Sequence, residues 1–389
     1  MKKVLSFSVL LIVGLLLSQT LPTVMGEGAY GSLSEVVTIM LGTCLAFIMI
    51  NVGREFEVDK SNMRSYAKDY VVAMLAAAAP WILIAVYYIF FLLPTEYWGS
   101  GDAWKETLLL SRFAAPTSAG ILFSMLAALG LQQRWIYRKI QVLAIFDDLD
   151  TILLMIPLQI AMIGMRWQMG VILFIVVGLL WFGWRKMSTY KLPQQWWMIL
   201  IYAVLVFGFT HIIYILTKQN LGAENALHIE VLLPAFVLGM VIRRNHNESK
   251  GDERATTAIS LLFMLLVGMS MPNISASANT TGESIMAAQP MLPWGTIALH
   301  VLAVTVLSNV GKLVPMLFYR NHSVKERLAL SIGMFTRGEV GAGVIFIALG
   351  YNIGGSALLI SVLTLVVNLI LTGGFVLIVK RLAINTYRD

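Results

Sequence analysis

Apolar segments of helical length recur along the whole chain, at about 4–21, 36–53, 70–93, 107–131, 140–164, 168–184, 196–217, 229–242, 256–271, 293–318, 327–350 and 356–379. A bilayer core about 30 Å thick is crossed by roughly 20 helical residues, so these runs predict a chain that threads a membrane repeatedly. Inside lipid every backbone N–H and C=O must be satisfied by the protein itself. Runs this long and continuously apolar do so as helices, whereas barrel strands would alternate their faces. Composition agrees, because 58% hydrophobic and 13% charged residues give more apolar surface than a soluble core of 389 residues could hide. The predicted class is an all-α polytopic membrane protein.

Basic residues orient the bundle. Of 28 Lys and Arg, 22 fall on one set of alternate connections, among them Arg54, Lys60, Arg64 and Lys68, then Arg134, Arg138 and Lys139, and later Arg243, Arg244, Lys250 and Arg254. Lys105, Arg166 and Lys218 fall on the other set, and this bias places the first set in the cytoplasm, both chain ends included. The net charge of +7 is therefore a topology signal and no nucleic-acid surface, since the basic residues form short clusters between apolar runs. Cys44, the single cysteine, excludes an internal disulfide. Lys2 and Lys3 followed by Val4 to Leu17 fit a secretory signal, while Val4 to Leu21 is also long enough to span. Residues 1–33 are thus read as a signal peptide or a first transmembrane helix plus a linker, and 34–389 as the transmembrane domain. The longest connection, Pro272 to Leu292, reads as a flexible outer loop whose sequons at Asn273 and Asn279 are chance matches.

Arg112, Lys312 and Arg337 fall inside apolar segments, as do Asp147, Asp148, Asp150 and Glu339. A charge at the bilayer centre costs roughly 2.5 to 3.5 kcal/mol even on insertion scales, so this near balance of sign predicts buried pairing along an ion or proton path. Asp147 and Lys312 each lie about six or seven residues from a cytoplasmic helix end, about 10 Å deep, and are expected to meet. Asp148, about 100° further around the helix, would then face a cavity. A purely structural ion pair is the alternative, disfavoured because carboxylates rarely cluster in membranes without function. Asp150 either joins the network or stays a neutral spectator. His211 and His300 read as hydrogen-bonded packing residues.

Two segments are interrupted. Pro116, within Ala114 to Gly120, removes a backbone bond near mid-membrane, and Gly338 lies in Thr336 to Gly343, where three glycines surround Arg337 and Glu339. Both segments are expected to break there, with a kink or close helix packing as the alternative. Gly53 and Gly268, which end earlier helices, are 215 residues apart, and Pro116 and Gly338 are 222 apart. The charge rule gives the paired helices opposite directions. Paired broken helices in inverted halves point to a transporter site at the midplane.

With these residues in view, the chain resembles the monovalent cation/proton antiporter superfamily, the sodium/proton exchangers and their glutathione-gated potassium relatives. The resemblance rests on Phe146-Asp147-Asp148-Leu149, Ala115-Pro116-Thr117-Ser118-Ala119-Gly120, Gly311-Lys312-Leu313, the run from Ile332 to Gly341 and the weaker Phe236-Val237-Leu238-Gly239, spread from about Ser34 to Leu382. It implies an inverted-repeat antiporter fold with two crossing broken helices. Core helices would occupy about 70–164 and 293–382, and scaffold or dimer helices about 36–53 and 168–271. In that reading Asp148 alternately holds a monovalent cation and a proton, Asp147 pairs with Lys312, and Thr117 contributes from the crossing. Pro116, Ser118, Arg337, Gly338 and Glu339 are its architecture.

The double aspartate with a membrane lysine resembles the electrogenic branch. Na⁺ or K⁺ and H⁺ are the implied substrates, with no cofactor, a homodimer in a bacterial inner membrane, and a short basic cytoplasmic tail with no nucleotide-binding domain after it. Asp150 and Arg112 depart from the family pattern, and a helix found at the N-terminus of many relatives is missing. A channel or symporter sharing the architecture is the runner-up. An intramembrane aspartyl protease is disfavoured, because it needs carboxyls facing each other from two elements, not neighbours on one helix.

Overall fold

In the computed structural model, each predicted apolar segment contains helix among the described residues. The structure describes residues 2–55, 63–128, 130, 135–163, 167–221, 229, 231–243, 250–272, 274, 284–351 and 353–385. In chain order the helices are α1 (Lys2–Met25), α2 (Glu27–Glu55), α3 (Met63–Leu92), α4 (Gly101–Ser111), α5 (Ala119–Ala128), α6 (Trp135–Ile163), α7 (Trp167–Arg185), α8 (Trp196–Leu221), α9 (Leu232–Val241), α10 (Lys250–Met269), α11 (Trp294–Gly311), α12 (Pro315–Phe318), α13 (Val324–Gly333), α14 (Glu339–Gly350) and α15 (Gly355–Asn385). Among the described residues seven spans are long and apolar enough to cross a membrane by length and composition. The rest fall short for local reasons: α6 carries the aspartates, and the second interrupted segment is divided between α13 and α14.

Both interruptions are real breaks. The first segment runs as α4, a single 3-10 turn at Arg112–Ala114, non-helical backbone at 115–118, and then α5. The second runs as α13, non-helical backbone at 336–338, and α14.

The inverted repeat is visible in how the helices clasp. α1 packs along α10, and α2 along α9. In the first pair a Cβ on Gly14 would collide with the Leu265 carbonyl, and one on Gly268 with the Leu11 carbonyl. In the second pair Gly53 meets the Phe236 carbonyl and Gly239 the Ile50 carbonyl. Only glycine lets the backbones come so close, which maximises dispersion contact where lipid supplies no hydrophobic drive. The first crossing maps onto the second when α1 is matched with α9 and α2 with α10, the relation expected of inverted halves. A third close approach joins α3 to α11, where a Cβ on Gly311 would lie 2.5 Å from the Pro80 nitrogen.

Two expectations need correction. The linker foreseen before residue 34 is almost entirely helical, with α1 reaching Met25 and α2 starting at Glu27. The break is Gly26 alone, whose φ of +76° is a left-handed conformation that glycine adopts without strain. The outer loop is not uniformly loose either. Its sequons lie outside the described residues, but the stretch after Ser284 is held on α4, because Glu106 accepts hydrogen bonds from the Ile285 and Met286 N–H groups at 3.0 and 3.1 Å. The Leu292 N–H then donates to Ser356 Oγ at 2.9 Å, fixing the start of α11 beside the start of α15.

Candidate functional site

α6 brings Asp147, Asp148 and Asp150 into the middle of the bundle, at 0, 3 and 1% exposure. Lys312, where α11 ends, is equally buried, and its Nζ lies 2.9 Å from both Asp147 oxygens. The same carboxylate accepts a 2.7 Å bond from the Thr117 N–H. That donor is available because residues 115–118 are non-helical, so the amide has no carbonyl one turn back to claim it. The Thr117 hydroxyl accepts from Lys312 Nζ at 3.2 Å and donates to the Met334 carbonyl at 3.1 Å. Two buried charges are costly to desolvate, and here each is met by its opposite and by further hydrogen bonds, the condition under which such a pair is tolerated.

The broken segments cross directly at this point. The Ser118 N–H donates to the Thr336 carbonyl at 3.0 Å, so the break in one segment supplies a donor to an acceptor left over by the break in the other. Ser118 also starts α5, its Oγ accepting from the Ile121 N–H at 3.4 Å. Gly338 sits where space forbids a side chain, since a Cβ there would lie 2.7 Å from Ile121 Cδ1 and 2.9 Å from Ser118 Oγ. Its φ of −175° is extended, so the requirement is one of room and not of backbone freedom. Pro116 lies at the centre of the first break.

Arg112, unexpected in the family pattern, has a clear place. It follows the C-terminus of α4 as Arg337 follows that of α13, and the two are 225 residues apart, the same separation as Gly14 and Gly239. Both side chains are buried, and each residue follows the carbonyl end of a half-helix, where a positive charge offsets the helix dipole. Arg337 donates to the Met334 carbonyl at 2.9 Å and to the Ser308 carbonyl at 3.4 Å. Arg112 donates to the Asp150 main-chain carbonyl at 2.8 Å and lies 4.5 Å over the Trp81 ring. The Glu339 side chain falls outside the described residues, and with it the reading of Arg337 and Glu339 as a charged pair.

The histidines lie away from this cluster. His300 Nδ1 shares a 2.8 Å hydrogen bond with the Tyr87 hydroxyl, and His211 stacks on Phe207. Missed by the sequence reading is a neutral polar seam between α11 and α15. In it Asn309 Nδ2 donates to Asn368 Oδ1 at 2.9 Å, one turn above Lys312.

The site thus assembles hard oxygen atoms, from carboxylates, a threonine hydroxyl and main-chain carbonyls, around fixed positive charges at a crossing of broken helices. Oxygen donors of this kind suit small hard cations. A comparison with curated protein sequences gives no match. Among solved structures, the sodium proton antiporter MjNhaP1 from Methanocaldococcus jannaschii at pH 8 is similar, with a TM-score of 0.55 and 16% identity over 95% of this chain and 92% of that chain. At that identity the likeness speaks for the fold, which is that of an inverted-repeat antiporter. The family described as "Sodium/hydrogen exchanger, transmembrane" matches residues 3–382, from the first turn of α1 to the last of α15, and the chain accordingly belongs to this family of integral membrane cation/proton transporters, not enzymes, within the monovalent cation/proton antiporter superfamily.

Proposed function

We propose that the protein exchanges Na⁺ for protons by alternating access, with both ions competing for Asp148. The observation that carries this reading is the placement of two neighbouring buried carboxylates on different faces of one helix. Asp147 is engaged by Lys312 and the Thr117 N–H, while Asp148, 3% exposed, projects about 100° away from it on α6. A carboxylate that must hold either a cation or a proton lets neither leak past the other, and exchange follows from that competition. Asp147 and Lys312 position the crossing, and Thr117 ties it to both. The half-helix ends, followed by Arg112 and Arg337, keep the local field fixed while the site is exposed to one face and then the other. Net charge movement per cycle is the expectation carried by the double aspartate together with one membrane lysine, as in the electrogenic branch.

The test is a proteoliposome assay with an internal pH reporter. Na⁺, K⁺ and Li⁺ are added in turn, with and without a clamp on membrane potential. Cation-dependent proton movement, strongest for Na⁺ and altered by the clamp, is the expected result. Cation flux that proceeds without proton movement would refute exchange, and a preference for K⁺ would refute the choice of cation.

A further inference from the structure

α11 and α15 run side by side in the same direction, since Leu292 before one is bonded to Ser356 at the start of the other, and Asn309 further along is bonded to Asn368. One turn before each asparagine, on the outer side, stand Thr305 and Thr364, 6 and 0% exposed. Membrane-helix hydroxyls ordinarily fold back on a carbonyl of their own helix, and the neighbours do so. Ser308 bonds to the Thr305 carbonyl, Ser361 to that of Ala357 and Thr372 to that of Asn368. Thr305 Oγ1 and Thr364 Oγ1 do not. Both atoms, with Asn309 Oδ1, are buried and lack a hydrogen-bond partner among the described residues. An unmet hydroxyl in hydrocarbon costs free energy that a bridging water removes, and a water needs two to four such partners.

We propose that the seam between α11 and α15 is a buried water site that relays protons between the outer side and the Asp147–Lys312 pair. Above it, Ser361 shares a 2.7 Å hydrogen bond with the fully buried Tyr88 hydroxyl. Below it, Asn309 and Asn368 lead within one turn to Lys312, and Arg337 bonds to Ser308. Lys312 and Arg337 at the inner end repel a metal cation, while a relay of hydroxyls and water passes a proton by accepting one at one oxygen and releasing another from the next. Water and hydroxyls are unchanged after each transfer. The cation and the proton would then reach the site by different routes. This inference rests on the exchange reading of the preceding subsection.

The test compares Thr305→Val with Thr364→Val against Thr305→Ser with Thr364→Ser, in proteoliposomes at saturating Na⁺ in H₂O and D₂O. The valine pair is expected to lower the maximal exchange rate roughly tenfold, the effect of about one hydrogen bond lost from the rate-limiting step, with an unchanged half-saturating Na⁺ concentration and a larger solvent isotope effect. The serine pair should restore all three. Valine variants that exchange at the wild-type rate, or in which half-saturation shifts with rate and serine does not rescue, would overturn the relay. Radiolytic hydroxyl labelling of the solubilised wild-type chain supplies a readout without transport or substitution. Labelling of buried Tyr88 is expected, and an unlabelled Tyr88 overturns the water site. Wild-type vesicles without cation-dependent proton movement would instead sink the exchange reading.

Discussion

Replacing Lys312 by Met keeps the length and removes the charge, leaving Asp147 with the Thr117 N–H as its remaining donor among those described. At 0% exposure for both residues, no water screens the carboxylate that is left. Breaking a buried pair in this way costs about 3 to 5 kcal/mol. With an unfolding entropy of roughly 2.1 cal/mol/K per residue, a chain of 389 residues has about 0.8 kcal/mol/K, so the loss corresponds to a Tm lower by about 4 to 6 °C. Adding Asp147→Asn removes the stranded charge while its amide oxygen can still accept from Thr117. The double variant is expected to recover at least about 2 kcal/mol, and a double-mutant cycle should report coupling of that order. The assay is thermal unfolding of the four purified proteins in one detergent at one pH. A double variant no more stable than Lys312→Met would show that the 2.9 Å contact contributes nothing to the fold, and the argument from depth and burial would fall with it.

Three further outcomes follow from the site and the packing. Asp148→Asn should abolish cation-dependent proton movement in proteoliposomes while leaving thermal unfolding within about 1 kcal/mol of wild type, and undiminished exchange would move the ion site elsewhere. Thr117→Val removes the hydroxyl between Lys312 and Met334 but keeps the main-chain N–H on Asp147. Half-saturation by Na⁺ should rise several-fold with the fold retained, and a variant that only loses stability would make Thr117 a packing residue. Gly53→Val drives a side chain into the Phe236 carbonyl, so a destabilisation of about 1 to 3 kcal/mol or more is expected, and an unchanged Tm would contradict the close α2–α9 contact.

The helices and their breaks were legible because each has a strong local cause. A bilayer demands long apolar runs, and Pro116 and the glycines around Gly338 cannot continue a ladder of backbone bonds. The approach of Lys312 to Asp147 was legible too, since depth in a membrane follows from counting residues. Arg112 was not. Its partners are the Asp150 main-chain carbonyl and the face of Trp81, neither of which has a charge to be counted, and its kinship with Arg337 appears only once both half-helix ends are in place. The Thr305, Asn309, Thr364 and Asn368 seam was equally hidden, because single hydroxyls and amides are common in membrane helices and only their unmet atoms set these apart. Gly53 and Gly268 were noticed as helix ends, but the residues they press against, Gly239 and Gly14, stand 186 and 254 positions away with nothing local to announce them.

Those two distances bear on how the chain is made. A membrane protein is inserted in chain order, and the glycine notches of α1 and α2 fit helices, α10 and α9, that follow only after six others. Until α9 and α10 emerge, α1 and α2 expose shallow grooves in their sides that lipid tails fill poorly. The half-made protein is therefore held together by neighbours other than its final ones until α9 and α10 slot into the early pair. Substitutions at Gly14 or Gly53 would consequently lower the yield of finished carrier during biogenesis as well as its stability once made.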